Sequence, residues 1–489
     1  MELVVGIDVA TAEVRVLAAD LEGRVHASAR APLPPPVSPQ PGWVEQDASP
    51  WWPTVATALQ QLTGQLGPAA ARIAGVSVAA TSATVVALDR DGEPLGPALT
   101  YADQRAVTQA RAAQEAAADR WAALGLRIGA SFGIAKWAWL MTQPEIAGRA
   151  ARLAHVPEVV LRHLVGDLPP TDWSHALKSG YDPLRGEWAL EAMEAVGVPA
   201  DLLPPVGRPT AVAGTVCQSG SQATGLPAGC PVRLGMTDSC ASQIAAGAEL
   251  PGHYVSVLGS TLVLKGASPG IVADPAGAVY SHRHPEGWWL PGGASSAGAR
   301  ALAVGFPGQD LARLDAAAAG RPASVIAYPL VGRGERFPFT NPDAEAFLIG
   351  DPVNEAEHYR ALLEGVAFVE RLCYERLATL GAPPPASIAV TGGGSTSRVW
   401  NRIRAAVLGR VVSEKPGAST ALGAAILAAA GGPHADLAAA TPAMAVGGVE
   451  VEPDGEHAGP LEENYRRFVA ALVDRGWLPA GPDGAAERA

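Results

Sequence analysis

The chain opens on an apolar run, Leu3 to Ile7, closed by Asp8, and an uninterrupted run of that length predicts a buried strand. Val14 to Asp20 predicts a second strand and Arg24 to Ala31 a third, with Leu21-Glu22-Gly23 as the hairpin turn between them. Prolines 34, 35, 36, 39 and 41 then hold the chain in a loop. Ser49 is placed to cap a helix that starts near Pro50 and runs to about Leu66. Further strands are expected at Val76–Ala80, Val85–Leu88 and Ala98–Tyr101, followed by an alanine-rich helix from Arg105 to Leu124.

The same pattern begins again past the middle of the chain. Tyr254 to Leu258 predicts a strand, Gly259-Ser260-Thr261 a turn of small residues, and Leu262 to Lys265 a returning strand. Set beside Ile7-Asp8-Val9-Ala10-Thr11 and its following strand, this is one β-turn-β device used twice. A helix over Glu355–Leu380, a strand over Ser387–Val390, and helices over Val399–Leu408 and Thr420–Ala430 complete the second half. The expectation is an α/β protein of two related domains, residues 1–245 and 246–478, with a disordered tail at 479–489.

Composition narrows the function. A hydrophobic share of 48% with 17% charged residues describes a globular chain with a sizeable core. The net charge of −12 argues against nucleic acid or an anionic membrane as partner. The four cysteines, Cys217, Cys230, Cys240 and Cys373, are scattered and suit reduced thiols better than a disulfide framework or a zinc site. Without a basic stretch ahead of a long apolar segment at the N-terminus, no signal peptide is read, and the expected location is cytoplasmic.

Four places carry chemistry suited to phosphoryl transfer, which needs oxygen-binding donors, a metal, a base and exclusion of water. Asp8 ends a buried strand, where a carboxylate can hold Mg²⁺, and Thr11 follows in a small-residue turn that can approach phosphate oxygens. The alternative is a hairpin whose amides Asp8 merely satisfies. Gly259-Ser260-Thr261 is the matching turn of the second half. Gly392-Gly393-Gly394 lets backbone lie close to a flat ring or ribose, or is simply a tight strand-to-helix turn. Asp238, in Gly235-Met236-Thr237-Asp238-Ser239, stands before a small-residue helix over Cys240–Ala246. It is either a cap or a general base for a sugar hydroxyl.

Taken in order, these pieces resemble the FGGY carbohydrate kinases on the sugar kinase/actin/heat-shock ATPase scaffold. The resemblance also draws on Pro41 to Asp47, Tyr101 to Arg105, Ser131 to Gln143 with Lys136 and Trp137, and Gly334-Glu335-Arg336. It implies two RNase-H-like α/β domains with an interdomain cleft, the first mainly for sugar and the second mainly for ATP. By the resemblance, Asp238 would be the catalytic base and Asp8 would organise Mg²⁺ and the reacting end of the sugar. Thr11, Gly259, Ser260 and Thr261 would serve the phosphates, and Gly392, Gly393 and Gly394 the adenosine, with Asn401 nearby. Three departures stand out. Gly133 replaces the usual Pro, Ser or Thr, Ala10 replaces a glycine, and Ala12 replaces a serine. Ala10 resists positive φ and so puts the phosphate turn in question.

Substrate choice in this family lies in the first domain. Thr81-Ser82-Ala83-Thr84 stands where xylulokinases carry Gln-Met-His, and Asp172 to Asp182 resembles the D-ribulokinase branch of cyanobacteria and plants. The reading is an ATP-dependent kinase of D-ribulose, with D-xylulokinase or a non-catalytic sugar sensor as alternatives. Thr81, Ser82, Asp103 and Lys178 are the sugar-contact candidates, with His175 and Lys178 otherwise on a solvated loop. His282 and His284 are expected on a surface strand. The expected partners are a small sugar and ATP, with neither nucleic acid nor membrane, in a monomer or homodimer.

Overall fold

The computed structural model describes residues 2–479, so the expectation of disorder beyond Pro479 lies outside the described residues. The chain divides into two compact units. Among the described residues, the first holds 2–247, His282–Trp288 and Ala418–Val446; the second holds Ala248–Ser281, Trp289–Gly417 and 447–479. A single cut near residue 245 therefore orders the halves in sequence but misses the later segments that the first unit takes back.

The first unit is built on a six-stranded sheet in the order Val212–Thr215, Pro231–Arg233, Ile73–Ala80, Leu3–Val9, Glu13–Asp20, Val25–Pro32. Leu3–Val9 is buried along its whole length because it lies inside the sheet, parallel to Ile73–Ala80 and antiparallel to Glu13–Asp20. One face carries the helix Trp51–Leu66, whose Trp51, Val55, Leu59 and Leu62 join the core beneath the strands. Helix Thr420–Ala429 packs against Leu3–Val9 and Ile73–Ala80 as well. It is apolar all round, and Ala421 through Ala429 are buried.

The second unit repeats the plan. His253–Leu258 runs parallel to Ser387–Thr391 and antiparallel to Leu262–Gly266, which pairs antiparallel with Trp289–Ser295. The parallel neighbour, central strand and two antiparallel returns match those of the first unit, so the duplicated device is present in three dimensions.

Local departures from expectation have local causes. The cap of helix Trp51–Leu66 is Pro50, and Ser49 instead donates its N–H to Asp47 Oδ1 at 2.9 Å. The alanine-rich helix breaks into Val107–Ala116 and Ala118–Leu124, because Ala117 takes φ −137° between them. His282 and His284 are buried, against the surface strand expected of them. The His284 ring stacks on Trp288 with centroids 4.6 Å apart, which accounts for its withdrawal from water. Among the described residues, no helix is long and apolar enough to cross a membrane.

Candidate active site

Three neighbouring strands of the first unit run parallel and finish on the same edge: Leu3–Val9, Ile73–Ala80 and Pro231–Arg233. The carboxyl ends of parallel strands are where open α/β sheets bind ligands, since loops and helix N-termini converge there. Here they deliver Asp8, the turn Thr81-Ser82, and Thr237-Asp238, with Ala80 bridging Thr237 in parallel register. Gly235 makes the last of these possible. It has φ +83°, and a Cβ there would lie 1.7 Å from the Val78 carbonyl oxygen.

Asp8 is almost wholly buried. Its Oδ2 accepts from Arg15 Nη1 at 3.2 Å, while Oδ1 is shut from water and meets no protein donor. Burial pushes the carboxyl up to about 7, Arg15 opposes that rise, and the Asp238 carboxylate adds to it. Asp8 and Asp238 thus act on one another electrostatically within a single unit. Asp238 opens the helix Asp238–Ala245 behind the N-cap Thr237, and its Oδ1 accepts from Ser239 N–H at 2.6 Å. The cap assignment for Asp238 therefore falls to Thr237.

The turn after Asp8 is ordinary in geometry. Ala10 donates its N–H to the Glu13 carbonyl at 3.1 Å, and Ala83 alone among the described non-glycine residues takes positive φ. The alanine in place of glycine at position 10 therefore imposes no backbone strain. Gln46 ties the turn down by donating from Nε2 to the Thr11 carbonyl at 2.7 Å and the Pro34 carbonyl at 2.9 Å. Thr11 and Thr81 line one small crevice with Ala10, Gln46 and Thr84.

The sugar-contact candidates separate. Ser82 Oγ is buried without a protein partner, which suits a group waiting for a ligand. Lys178 lies half-buried, its Nζ 5.9 Å from the Phe132 ring. Asp103 does not belong with them. Its carboxylate is buried and saturated by Val44 N–H at 2.7 Å and by the Arg105 backbone and guanidinium, so it has no lone pair to offer. Arg105 in turn lies 3.8 Å over the Trp43 ring.

Lys136, read in the sequence only as part of a motif, holds the Thr81–Thr84 loop from behind. Its buried Nζ donates to the Ala83 carbonyl and, at 2.8 Å, to the Thr100 carbonyl. Burial pushes its pKa down to about 7, with Asp103 opposing the fall. Gly133 one turn earlier is explained by space, since a Cβ there would lie 1.9 Å from Ser179 Oγ. Arg15, Ser174 and Asp172 are further members of the site that sequence reasoning left without a role, and His175, whose alternative was a solvated loop, is buried beside them. Asp172-x-Ser174 has the spacing of an aspartate capping its own turn, and that was the available signal.

In the second unit the nucleotide candidates again stand at the carboxyl ends of two adjacent parallel strands, where Val257 pairs with Thr391. Gly259 donates its N–H to the Thr261 carbonyl at 3.0 Å, closing a tight turn with Ser260 exposed at its tip. Gly392, at φ +89°, presses on Leu258, where a Cβ would lie 2.6 Å from the carbonyl oxygen. The two turns are therefore packed side by side. Asn401 lies beneath them, fully buried. Its Nδ2 donates to the Ser395 carbonyl at 2.7 Å and Glu414 Oε1 at 2.9 Å, and its Oδ1 accepts from Arg404. It supports the glycine turn and offers no free group to a nucleotide. A cavity of about 430 Å³ in this unit, bordered by Arg321, Asn354 and Glu357, contains none of the candidate residues.

A duplicated α/β plan with paired carboxylates at one strand edge and glycine turns at the other defines a sugar kinase fold. Residues 3–245 match the N-terminal domain, and residues 273–431 the C-terminal domain, of the FGGY family of carbohydrate kinases, and the chain belongs to that family. It is 32% identical to a xylulose kinase of Streptomyces coelicolor over 84% of each chain. It is 29% identical to a glycerol kinase of Gloeobacter violaceus over 97% of each. The crystal structure of a xylulose kinase from Rhodospirillum rubrum matches with a TM-score of 0.88 at 28% identity, covering 97% of this chain and 99% of that one.

Proposed function

We propose that this carbohydrate kinase transfers the γ-phosphoryl group of ATP to the 5-hydroxyl of a ketopentose, with D-xylulose the first substrate and Asp238 the general base. The observation that carries the reading is the delivery of Asp8 and Asp238 to the same carboxyl edge of parallel strands, where Ala80 bridges Thr237. A base for a sugar hydroxyl must be a carboxylate held at the reacting oxygen. Asp238 stands in the first turn of a helix, whose unpaired amides favour negative charge. Thr81 and Ser82, on the neighbouring strand end, supply hydroxyls for the sugar.

The donor set of Asp8 fits Mg²⁺, because that ion is held by one or two carboxylates together with substrate phosphates, and Asp8 Oδ1 is a buried oxygen without a protein partner. Bound there, the ion would neutralise charge on the phosphate oxygens. In the second unit, Gly259, Ser260 and Thr261 are assigned to the phosphates, and Gly392, Gly393 and Gly394 to the adenosine. Thr11 is the phosphate contact of the first unit.

D-xylulose comes first because xylulose kinases recur among the relatives and solved structures. D-ribulose is kept as a second reading on Thr81-Ser82 and the Asp172–Asp182 segment. The test is ADP release with ATP and Mg²⁺ against D-xylulose, D-ribulose, L-ribulose, L-xylulose, glycerol and ribitol. Selective turnover of D-xylulose supports the proposal, turnover of D-ribulose instead moves the substrate, and binding without turnover replaces the kinase with a sensor.

A further inference from the structure

The N-cap that launches Asp238 is held by a side chain far back in the sequence. Thr237 donates its backbone N–H to Ser174 Oγ at 2.9 Å. Ser174 Oγ donates to Asp172 Oδ1 at 2.5 Å, an oxygen that also accepts the N–H groups of Ser174 at 2.7 Å and His175 at 3.3 Å. The other Asp172 oxygen faces His175 Nδ1, and His175 Nε2 meets the Ala80 carbonyl at 3.2 Å. All four residues are buried.

Counting protons orders the donors and acceptors. Ser174 has one hydroxyl proton and uses its oxygen to accept from Thr237, so the proton goes to Asp172 Oδ1. The Ala80 carbonyl can only accept, so His175 Nε2 carries a proton. A second proton lies between His175 Nδ1 and Asp172 Oδ2, and on the ring it makes His175 an imidazolium. Burial works against that charge, and the Asp172 carboxylate, with Glu158 of helix Val156–Val165 behind it, outweighs burial and raises the ring's pKa. His155 is a further titratable neighbour, its ring centroid 5.8 Å away. His155 is itself engaged by Glu158 at 3.1 Å and Ser179 at 2.8 Å.

We infer that Asp172, Ser174 and His175 form a buried charged clip that positions the phosphoryl-transfer site. It grips the Ala80 carbonyl and the Thr237 amide on two adjacent chain segments, and so fixes both the Thr81-Ser82 turn and the Asp238 carboxylate. None of the three is assigned a contact with substrate; they are positioning residues. The role rests on the reading of Asp238 as general base.

The test uses the full chain. Ser174→Ala deletes the acceptor of the Thr237 amide with little change in volume. Its kcat on the sugar that the wild type phosphorylates is expected to fall about 10- to 100-fold, the scale of a slightly misplaced catalytic group. KM for ATP should stay within about twofold, since the nucleotide candidates lie mostly on other elements. Ser174→Thr, which keeps the hydroxyl, should recover most of the loss. A kcat for Ser174→Ala within about twofold of wild type overturns the inference. In a second arm, ¹⁵N NMR of histidine-labelled protein reads His175, assigned through His175→Gln. The ring should lose its second proton only above the ordinary histidine value. A ring that titrates at or below that value of about 6.5 overturns the charged clip. If the wild type phosphorylates no sugar, the functional reading has failed, and the NMR arm still decides the clip.

Discussion

Arg15 Nη1 donates to Asp8 Oδ2 at 3.2 Å, and this lone contact leaves Asp8 Oδ1 buried without a protein partner. A carboxylate so placed is poorly compensated, and burial carries its pKa to about 7. A divalent cation would supply the compensation that Arg15, itself half in solvent, does not.

Asp8 should therefore make the ligand-free protein less stable as pH rises. Between the ordinary aspartate value of 3.8 and about 7, the folded protein keeps a proton that the unfolded chain has released. The stability from this group is fully present below that lower value and is lost as pH rises through about 7, at about 1.4 kcal/mol per pK unit. Asp8→Asn should flatten that part of the stability–pH curve, measured by urea denaturation between about pH 5 and about pH 8. Equal slopes in wild type and variant would remove the raised Asp8 from the account.

Asp238→Asn should lower kcat about 10²- to 10⁴-fold, the usual contribution of a positioned general base. ATP binding, read by calorimetric titration, should be nearly unchanged. Wild-type turnover in this variant would take Asp238 out of the mechanism.

Lys136→Met should destabilise the fold and loosen the sugar side of the site together. It strands the carbonyls of Ala83 and Thr100, at about 1–3 kcal/mol for each left unsatisfied. The expected readings are a lowered thermal midpoint and a raised KM for sugar with KM for ATP held. An unchanged sugar KM would mean that the Thr81–Thr84 loop does not depend on this tether.

The glycine turn allows a paired comparison. Gly392→Ala places a methyl 2.6 Å from the Leu258 carbonyl at a positive φ, and should unfold or strongly destabilise the second unit. Gly393→Ala meets nothing within 4 Å and should fold normally. If Gly393 faces the nucleotide, its alanine variant weakens ATP binding at unchanged stability. Full ATP affinity in Gly393→Ala would confine the turn to a structural role.

Periodicity and turn chemistry determined a great deal without any coordinates. The runs Leu3–Ile7 and Tyr254–Leu258, the second interrupted only by Ser256, located the two central strands, since a mostly apolar stretch of that length is stable only where both sheet faces are covered. The repeated β-turn-β device announced the duplication, and the ordered motifs were specific enough to indicate the family. What the chain could not reveal is which polar groups were already spoken for. Asp103 and Ser82 look alike as sugar contacts in a linear reading. Folding saturates the first with Arg105 and Val44 and leaves the hydroxyl of the second buried without a partner. The pairing of His175 with Asp172, and of Ser174 with Thr237 sixty-three residues later, exists only where the sheet edge gathers them. The recruitment of Thr420–Ala429 into the first unit is of the same kind. Local sequence sets the period of burial, whereas the partner of a buried polar group is fixed by distance in space, which only the completed packing decides.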